Sequence, residues 1–228
     1  MTAPSSNASS SKSPVAITEA FRAHHLDLFE THGATPQGLG WRNQETTDLR
    51  YEKMLAVIPA PLSKQSVTLL DVGCGFGGLY TYAKTHRPDL NLHYTGIDLC
   101  APMIDHARQL LADDSVCLEV SSLFDYQPGE AFDFVVCNGI LTQKLTTTIP
   151  AMDAYAQALV SRMFELARVG VAFNCMSSKV DYTEDHLYYR HPLDFLGFCF
   201  NTLSPDVRLD HSYPLYEYTI YVYHGKQG

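Results

Sequence analysis

The stretch LLDVGCGFGG, residues 69–78, decides how this chain folds. An apolar run, an acid and then four glycines among the six residues 73–78 are what a strand needs when it must turn sharply into a helix around a ligand. Gly73, Gly75 and Gly78 match the G-x-G-x-x-G spacing of a dinucleotide site. Asp98, 20 residues beyond Gly78, stands where a ribose-binding acid is expected. Spacing therefore leaves two ligands tied, a nicotinamide dinucleotide and the methyl donor S-adenosylmethionine.

Charge separates them. Asp71 lies two residues before the first glycine, where a dinucleotide site normally carries an apolar residue because a pyrophosphate follows. A carboxylate at that strand end suits a ligand bearing an ammonium and a sulfonium. Chain length agrees: 150 residues follow Gly78, enough for the rest of one sheet and too few for a separate catalytic domain. Asp98, at the end of HYTGID, can accept both ribose hydroxyls of either ligand and does not discriminate.

Outward from the glycines, strand-like and helical segments alternate. Residues 66–72, 92–99, 116–123, 132–138 and 169–175 read as strands, with helices over 79–86, 102–111 and 151–168. Apolar strands separated by crossovers imply a largely parallel sheet covered on both faces, the doubly wound α/β class. Residues 207–214 and 215–224 alternate around Pro214 and predict an antiparallel hairpin, making seven strands. Before the glycines, apolar residues recur at helical spacing from Val15 to Phe29, breakers follow over 33–40, and a second helix is expected over 46–57. The division expected is a disordered tail (1–14, rich in Ser, Ala and Pro), a helical cap segment (15–60) and a ligand-binding domain (61–228). The Asn7-Ala8-Ser9 sequon is discounted, since the start lacks the pattern of a secretory signal.

Composition excludes several classes. A formal charge of −9 without Lys/Arg clusters argues against nucleic acid as partner, and no apolar run reaches the roughly 18 residues of a membrane span. The six cysteines are scattered with no C-x-x-C pair, so no metal site is expected and a soluble cytoplasmic protein is. Oligomeric state is not legible.

With LDVGCGFG, YTGIDL, FDFVVCNGIL and YPLYEYTIYVY in register, the chain resembles the class I S-adenosylmethionine-dependent methyltransferases over about residues 40–225. LGWRNQETTDLRYEKML and the segment from VGVAFNCMSS to LYYRHPLDF resemble a bacterial group acting on small molecules. The resemblance implies a Rossmann-like fold and S-adenosylmethionine as cofactor. It places Gly73, Gly75 and Gly77 against the methionyl part, Asp71 near its ammonium, Asp98 on the ribose, and Leu99 and Met103 on the adenine. Ser122 and Leu123 fall where the family has an Asp and an apolar residue beside the adenine amine; Ser122 departs from that Asp. Asn138 ends the fourth strand, where backbone carbonyls face the methionyl amine.

The implied reaction is methyl transfer to a small-molecule O, N or S acceptor. Two segments are expected to cap the methyl, 15–51 and 177–191. From the first, Trp41 would cover the cofactor, and Arg50 or Arg42 would meet a carboxylate. From the second, His186, Tyr182 and Tyr189 are the candidate catalytic residues, with His191 and Tyr188 beside them. The rival readings are a nicotinamide-dependent oxidoreductase, a non-catalytic adenosyl-ligand module, and a nucleic-acid methyltransferase. The last is disfavoured because CNGIL stands where N-P-P-[YFW] would follow the fourth strand.

Overall fold

The computed structural model describes residues 14–60, 65–113 and 115–225. The expected tail, 1–14, lies outside these except for Pro14, which opens the first helix; the sequon at Asn7 also lies outside. Helix α1 (Pro14–His32) and α2 (Gln44–Leu55) flank a short 3-10 turn at Gln37–Leu39. Asn43 caps α2, its side chain accepting from the Thr46 N–H, and this cap starts the helix two residues before the expected position.

The sheet then builds from β1 (Ser66–Val72), α3 (Gly78–His86), β2 (Asn91–Asp98), α4 (Ala101–Leu110), β3 (Val116–Val120), β4 (Phe132–Cys137), α5 (Ile149–Leu166) and β5 (Ala167–Ser177). After them come β6 (Tyr189–Arg190), α6 (Pro192–Thr202), β7 (Val207–Asp210) and β8 (Glu217–Tyr223). Strand order is β3-β2-β1-β4-β5-β8-β7, with the two-residue β6 pairing on β5 as an eighth strand. The first five run parallel, while β8 is antiparallel to β5 and to β7. The doubly wound sheet and its terminal hairpin are thus as the sequence predicts. The order reverses between β1 and β4, and beyond their C-terminal ends such sheets bind ligands.

Two elements differ from expectation. The third strand stops at Val120, because the Ser122 carbonyl accepts from the N–H groups of Asp125 and Tyr126 and makes 121–126 a turn. Helix α6 occupies a span given no element, although its Pro192 in the first turn is a start signal.

Period two sorts the strand side chains. Leu70, Val72, Val135, Val171 and Phe173 face α1, α5 and α6; Val67, Leu69, Phe134, Val136 and Ala172 face α2, α3 and α4. Burial on both sides explains why β1 and β4 read as nearly unbroken apolar runs. Asp71 shares the alternation of Leu69 and so points toward the α2–α4 layer, where Tyr94 meets it.

Helix α2 is tied to the far end of the chain. Arg50 Nε donates to both oxygens of Glu217, at 3.0 and 3.1 Å, and its Nη2 binds the same carboxylate. Asn174 Nδ2 donates to Glu217 at 2.7 Å while its Oδ1 accepts the Gly139 N–H at 2.8 Å. The Glu217 side chain is 4% exposed and that of Arg50 13%. Removing the cation leaves a buried carboxylate uncompensated, so Arg50→Met is expected to lower the free energy of unfolding by about 3 kcal/mol. Urea denaturation checks this: a loss below about 1 kcal/mol would assign Glu217 another cation.

Candidate functional site

At the end of β1 the chain reverses over β2. The N–H groups of Gly73 and Cys74 both donate to the Ile97 carbonyl, at 2.8 and 3.1 Å, and the Gly75 N–H donates to Asp98 Oδ2 at 2.9 Å. These bonds require φ of +74° at Gly73 and +56° at Gly75, a region that strains a side chain. Space forbids one as well, since a Cβ would come within 2.8 Å of Ile140 Cδ1 at Gly73 and within 2.7 Å of Leu39 Cδ2 at Gly75. Gly77 caps α3, and its vacant side faces Leu111.

Two acids flank the loop. Asp71 is 3% exposed, and the Tyr94 hydroxyl donates to its Oδ2 at 2.7 Å. Burial pushes its carboxyl up to about 7, against the Tyr94 hydrogen bond and reinforced by the charge of Asp98. Asp98 accepts the Gly75 N–H on Oδ2 and the Cys100 N–H, at 2.8 Å, on Oδ1. Burial raises its carboxyl too, while those main-chain bonds hold it down.

Above these acids lies a cavity of about 980 Å³, mouth included. Its roof is one face of α1, on which Thr18, Phe21, Arg22 and His25 follow i, i+3, i+4, i+7 spacing. Leu39, Trp41 and Tyr51 close one side, with the Trp41 ring 5.7 Å edge-on from Tyr51. Leu123, Ile140, Gln143 and Tyr155 close the other. Asn138 lines the floor at 8% exposure, and among the described residues neither its Oδ1 nor its Nδ2 has a partner. Such a pair of orphans is costly unless a ligand satisfies it.

Of the residues singled out in sequence, Trp41, Asp71, Gly73, Gly75, Asp98, Leu99, Met103, Ser122, Leu123 and Asn138 all line this cavity. The Ser122 hydroxyl is engaged, donating to Asp125 Oδ2 at 2.5 Å. Gly77 stands behind the loop, outside the lining. Arg50 is not brought to the cavity either: its guanidinium is held by Glu217, 5.3 Å from the Trp41 ring centre, so its effect is to position the tryptophan. Arg42 is exposed.

The second segment expected over the site, 177–191, contributes no residue to the cavity lining. Tyr182 is 63% exposed and packs edge-on against Tyr216. The Tyr189 hydroxyl accepts the Glu184 N–H, and His186 is exposed, its carbonyl accepting from Lys144 and Leu145. None of the three lines the cavity. Their segment is fixed at the cavity's edge, where Leu187 pairs with Gln143 and Tyr188 buries its ring and donates its hydroxyl to Asp153 on α5. Sequence reading expected 15–51 over the site but singled out neither His25 and its face of α1 nor Tyr155; the heptad-like spacing of 18, 21, 22 and 25 was the available signal.

A model of the methyltransferase domain matches residues 70–170. A Mycobacterium tuberculosis (strain ATCC 25618 / H37Rv) protein named as a methyltransferase, Rv1506c, is 31% identical over 160 residues, covering 67% of this chain and 90% of that one. The chain belongs to the class I S-adenosylmethionine-dependent methyltransferases, whose methyl donor is the cofactor expected above. Among solved structures, magnesium protoporphyrin IX methyltransferase from Synechocystis PCC 6803 with bound S-adenosylmethionine shares the fold. Its TM-score is 0.62 at 14% identity, over 95% of this chain and 99% of that one. The aminopentose methyltransferase CalS10 of Micromonospora echinaspora gives 0.56 at 15% identity, over 78% and 89%.

The raised Asp71 carboxyl makes a stability prediction. Between its free value of 3.8 and about 7 the folded chain holds a proton that the unfolded chain releases, so this contribution is complete at low pH and is lost as pH rises through 7. Asp71→Asn is expected to remove that decline and to be more stable than the parent at pH 8, by up to about 4 kcal/mol. Unfolding curves at pH 5 and pH 8 decide it; a parent as stable relative to the variant at pH 8 as at pH 5 would contradict it.

Proposed function

We propose that this methyltransferase moves the methyl of S-adenosylmethionine to a small-molecule acceptor held between the glycine loop and the α1 roof. The observation that carries this is that one cavity is lined at once by the glycine loop, both acids, the α1 face and the Trp41 ring, apolar walls with a few convergent polar groups as small-ligand sites have. Two structural relatives are named for small-molecule substrates, a magnesium porphyrin and an aminopentose, the latter in calicheamicin biosynthesis, whereas the ribosomal RNA small subunit methyltransferase C of Klebsiella pneumoniae is 31% identical over 97 residues but over only 42% of this chain and 28% of that one. A biosynthetic role, a cytoplasmic location and the absence of nucleic-acid partners belong to the same reading. It is supported by the acidic charge and by six cysteines that are all free. Among the described residues no helix is long and apolar enough to cross a membrane.

The donor set fits the cofactor. Asp71 is a buried acid whose side-chain partner is a neutral phenol, suited to an ammonium. Asp98 keeps acceptor capacity for ribose hydroxyls beyond its two main-chain bonds. Leu99 and Met103 would take the adenine, Ser122 and Leu123 its edge, the backbone of Gly73 and Gly75 the methionyl chain, and the orphaned amide of Asn138 its polar end. A pyrophosphate would instead face two carboxylates, which disfavours a nicotinamide dinucleotide.

When bound, S-adenosylmethionine supplies a methyl already activated on sulfonium. The chain's part is then to align and desolvate the acceptor: Phe21, Trp41 and Tyr155 exclude water, and Arg50 with Glu217 holds Trp41 in place. We assign residues 15–60 to this cap and 61–228 to the cofactor domain.

Calorimetry should show binding of S-adenosylmethionine and S-adenosylhomocysteine with no comparable affinity for NAD or NADP; the reverse order would overturn the reading. Asp98→Ala is expected to weaken S-adenosylmethionine by about 1.5–3 kcal/mol. Because a bound ammonium favours ionised Asp71, affinity should climb with pH, by at most about tenfold per unit, and level off above about 7. Asp71→Asn should bind weakly and without that slope. A pH-independent parent would mean that Asp71 does not meet the ammonium.

A further inference from the structure

If the small-molecule reading holds, the acceptor atom follows from which lone pair the cavity leaves free. Asp71, nearly inaccessible and bonded to the Tyr94 hydroxyl, is assigned to the cofactor's ammonium, and Asp98, each oxygen of which also receives a main-chain N–H, to its ribose, so neither is left for the acceptor. Burial pushes the Tyr155 phenol up to about 12 and holds the Cys74 thiol and the Tyr51 phenol well above their ordinary values, so all three stay protonated and cannot take up a proton. The amides of Asn138 and Gln143 are not bases, and Arg22 is spent on Glu19.

His25 is different. Its Nδ1 lies 2.9 Å from the Phe21 carbonyl oxygen, one turn back along α1. A carbonyl can only accept, so Nδ1 carries the ring proton and the neutral imidazole keeps its lone pair on Nε2. Among the described residues no protein group hydrogen-bonds to that nitrogen, and the ring lines the cavity on the same face as Thr18, Phe21 and Arg22. The backbone thus fixes the tautomer that a base requires.

We propose that His25 is the general base of this enzyme and that its acceptor is a hydroxyl. As the hydroxyl oxygen attacks the methyl carbon, its proton passes to Nε2. The C–O bond forms while the C–S bond breaks, and the sulfur keeps that bonding pair as the neutral thioether of S-adenosylhomocysteine. A hydroxyl is the acceptor that needs such help, because a neutral amine attacks through its own lone pair and a thiol ionises readily. The charges around the new imidazolium are mixed. Asp98, at the end of β2, attracts it, Arg22 and His24 on α1 oppose it, and Tyr155 on α5 is neutral.

The test uses the full chain, labelled S-adenosylmethionine and four probe acceptors: phenol, catechol, benzylamine and thiophenol. Expected are methylation on oxygen, a kcat that rises with pH along an acid limb, and a drop of about 100-fold or more in H25Q, with the limb gone from the residual rate. H25Q should bind S-adenosylhomocysteine within about twofold of the parent, which shows that it folds. Methylation confined to nitrogen or sulfur, no oxygen methylation by a parent that binds S-adenosylhomocysteine, or an H25Q as fast as the parent would overturn the proposal. A parent that fails to bind S-adenosylhomocysteine would instead overturn the cofactor reading beneath it.

Discussion

The Ile97 carbonyl, accepting from both Gly73 and Cys74, is the constraint on which the site depends. It ends β1 and folds the following loop across the top of β2, so that the two strands finish with Asp71 and Asp98 on either side of one backbone turn. A loop that made these bonds with ordinary residues would need positive φ twice and would collide with Leu39 and Ile140. Glycine is therefore demanded by the turn and by the cavity's side walls together, and the space it leaves is part of the cavity itself.

The roof has to be held as firmly as the loop, and it comes from chain that precedes the sheet. Helix α1 is anchored by Ile17 and Phe21 against the α5 side, where the Phe21 and Tyr155 rings lie 5.9 Å apart. The segment carrying Trp41 and Tyr51 is anchored on the opposite side through Arg50 and Glu217. Because Glu217 also holds Asn174, and Asn174 holds the Gly139 N–H, one buried carboxylate links the roof to the loop that carries Asn138. An isolated charge in that position would be costly, whereas a charge hydrogen-bonded by both Arg50 and Asn174 defines a unique arrangement.

Electrostatics divides the labour within the cavity. The floor is acidic and short of cations, which burdens the free protein with a carboxyl driven up to about 7 and readies it for a positively charged ligand. The roof is aromatic, with histidine and arginine at one end. Destabilisation stored at Asp71 is the kind of local cost that binding sites carry and that packing elsewhere offsets.

Local pattern alone determined the five parallel strands, the terminal hairpin, the glycine turn and the two acids, because each depends on periodicity or on spacing within about 30 residues. It also determined that a cation suits Asp71 better than a phosphate does. Tertiary structure decided the rest. Arg50 reads as a free cation near the cofactor until Glu217, 167 residues away, is seen to claim it. Tyr182, His186 and Tyr189 read as a catalytic stretch until Tyr188 buries itself on α5 and fixes them at the cavity's edge, outside its lining. His25 reads as one histidine among ten until α1 crosses the strand ends and turns its face downward. Each of these outcomes rests on a contact between distant segments, whose partner is chosen by packing and by the cost of an unpaired buried charge, and neither quantity is written in the local order of residues.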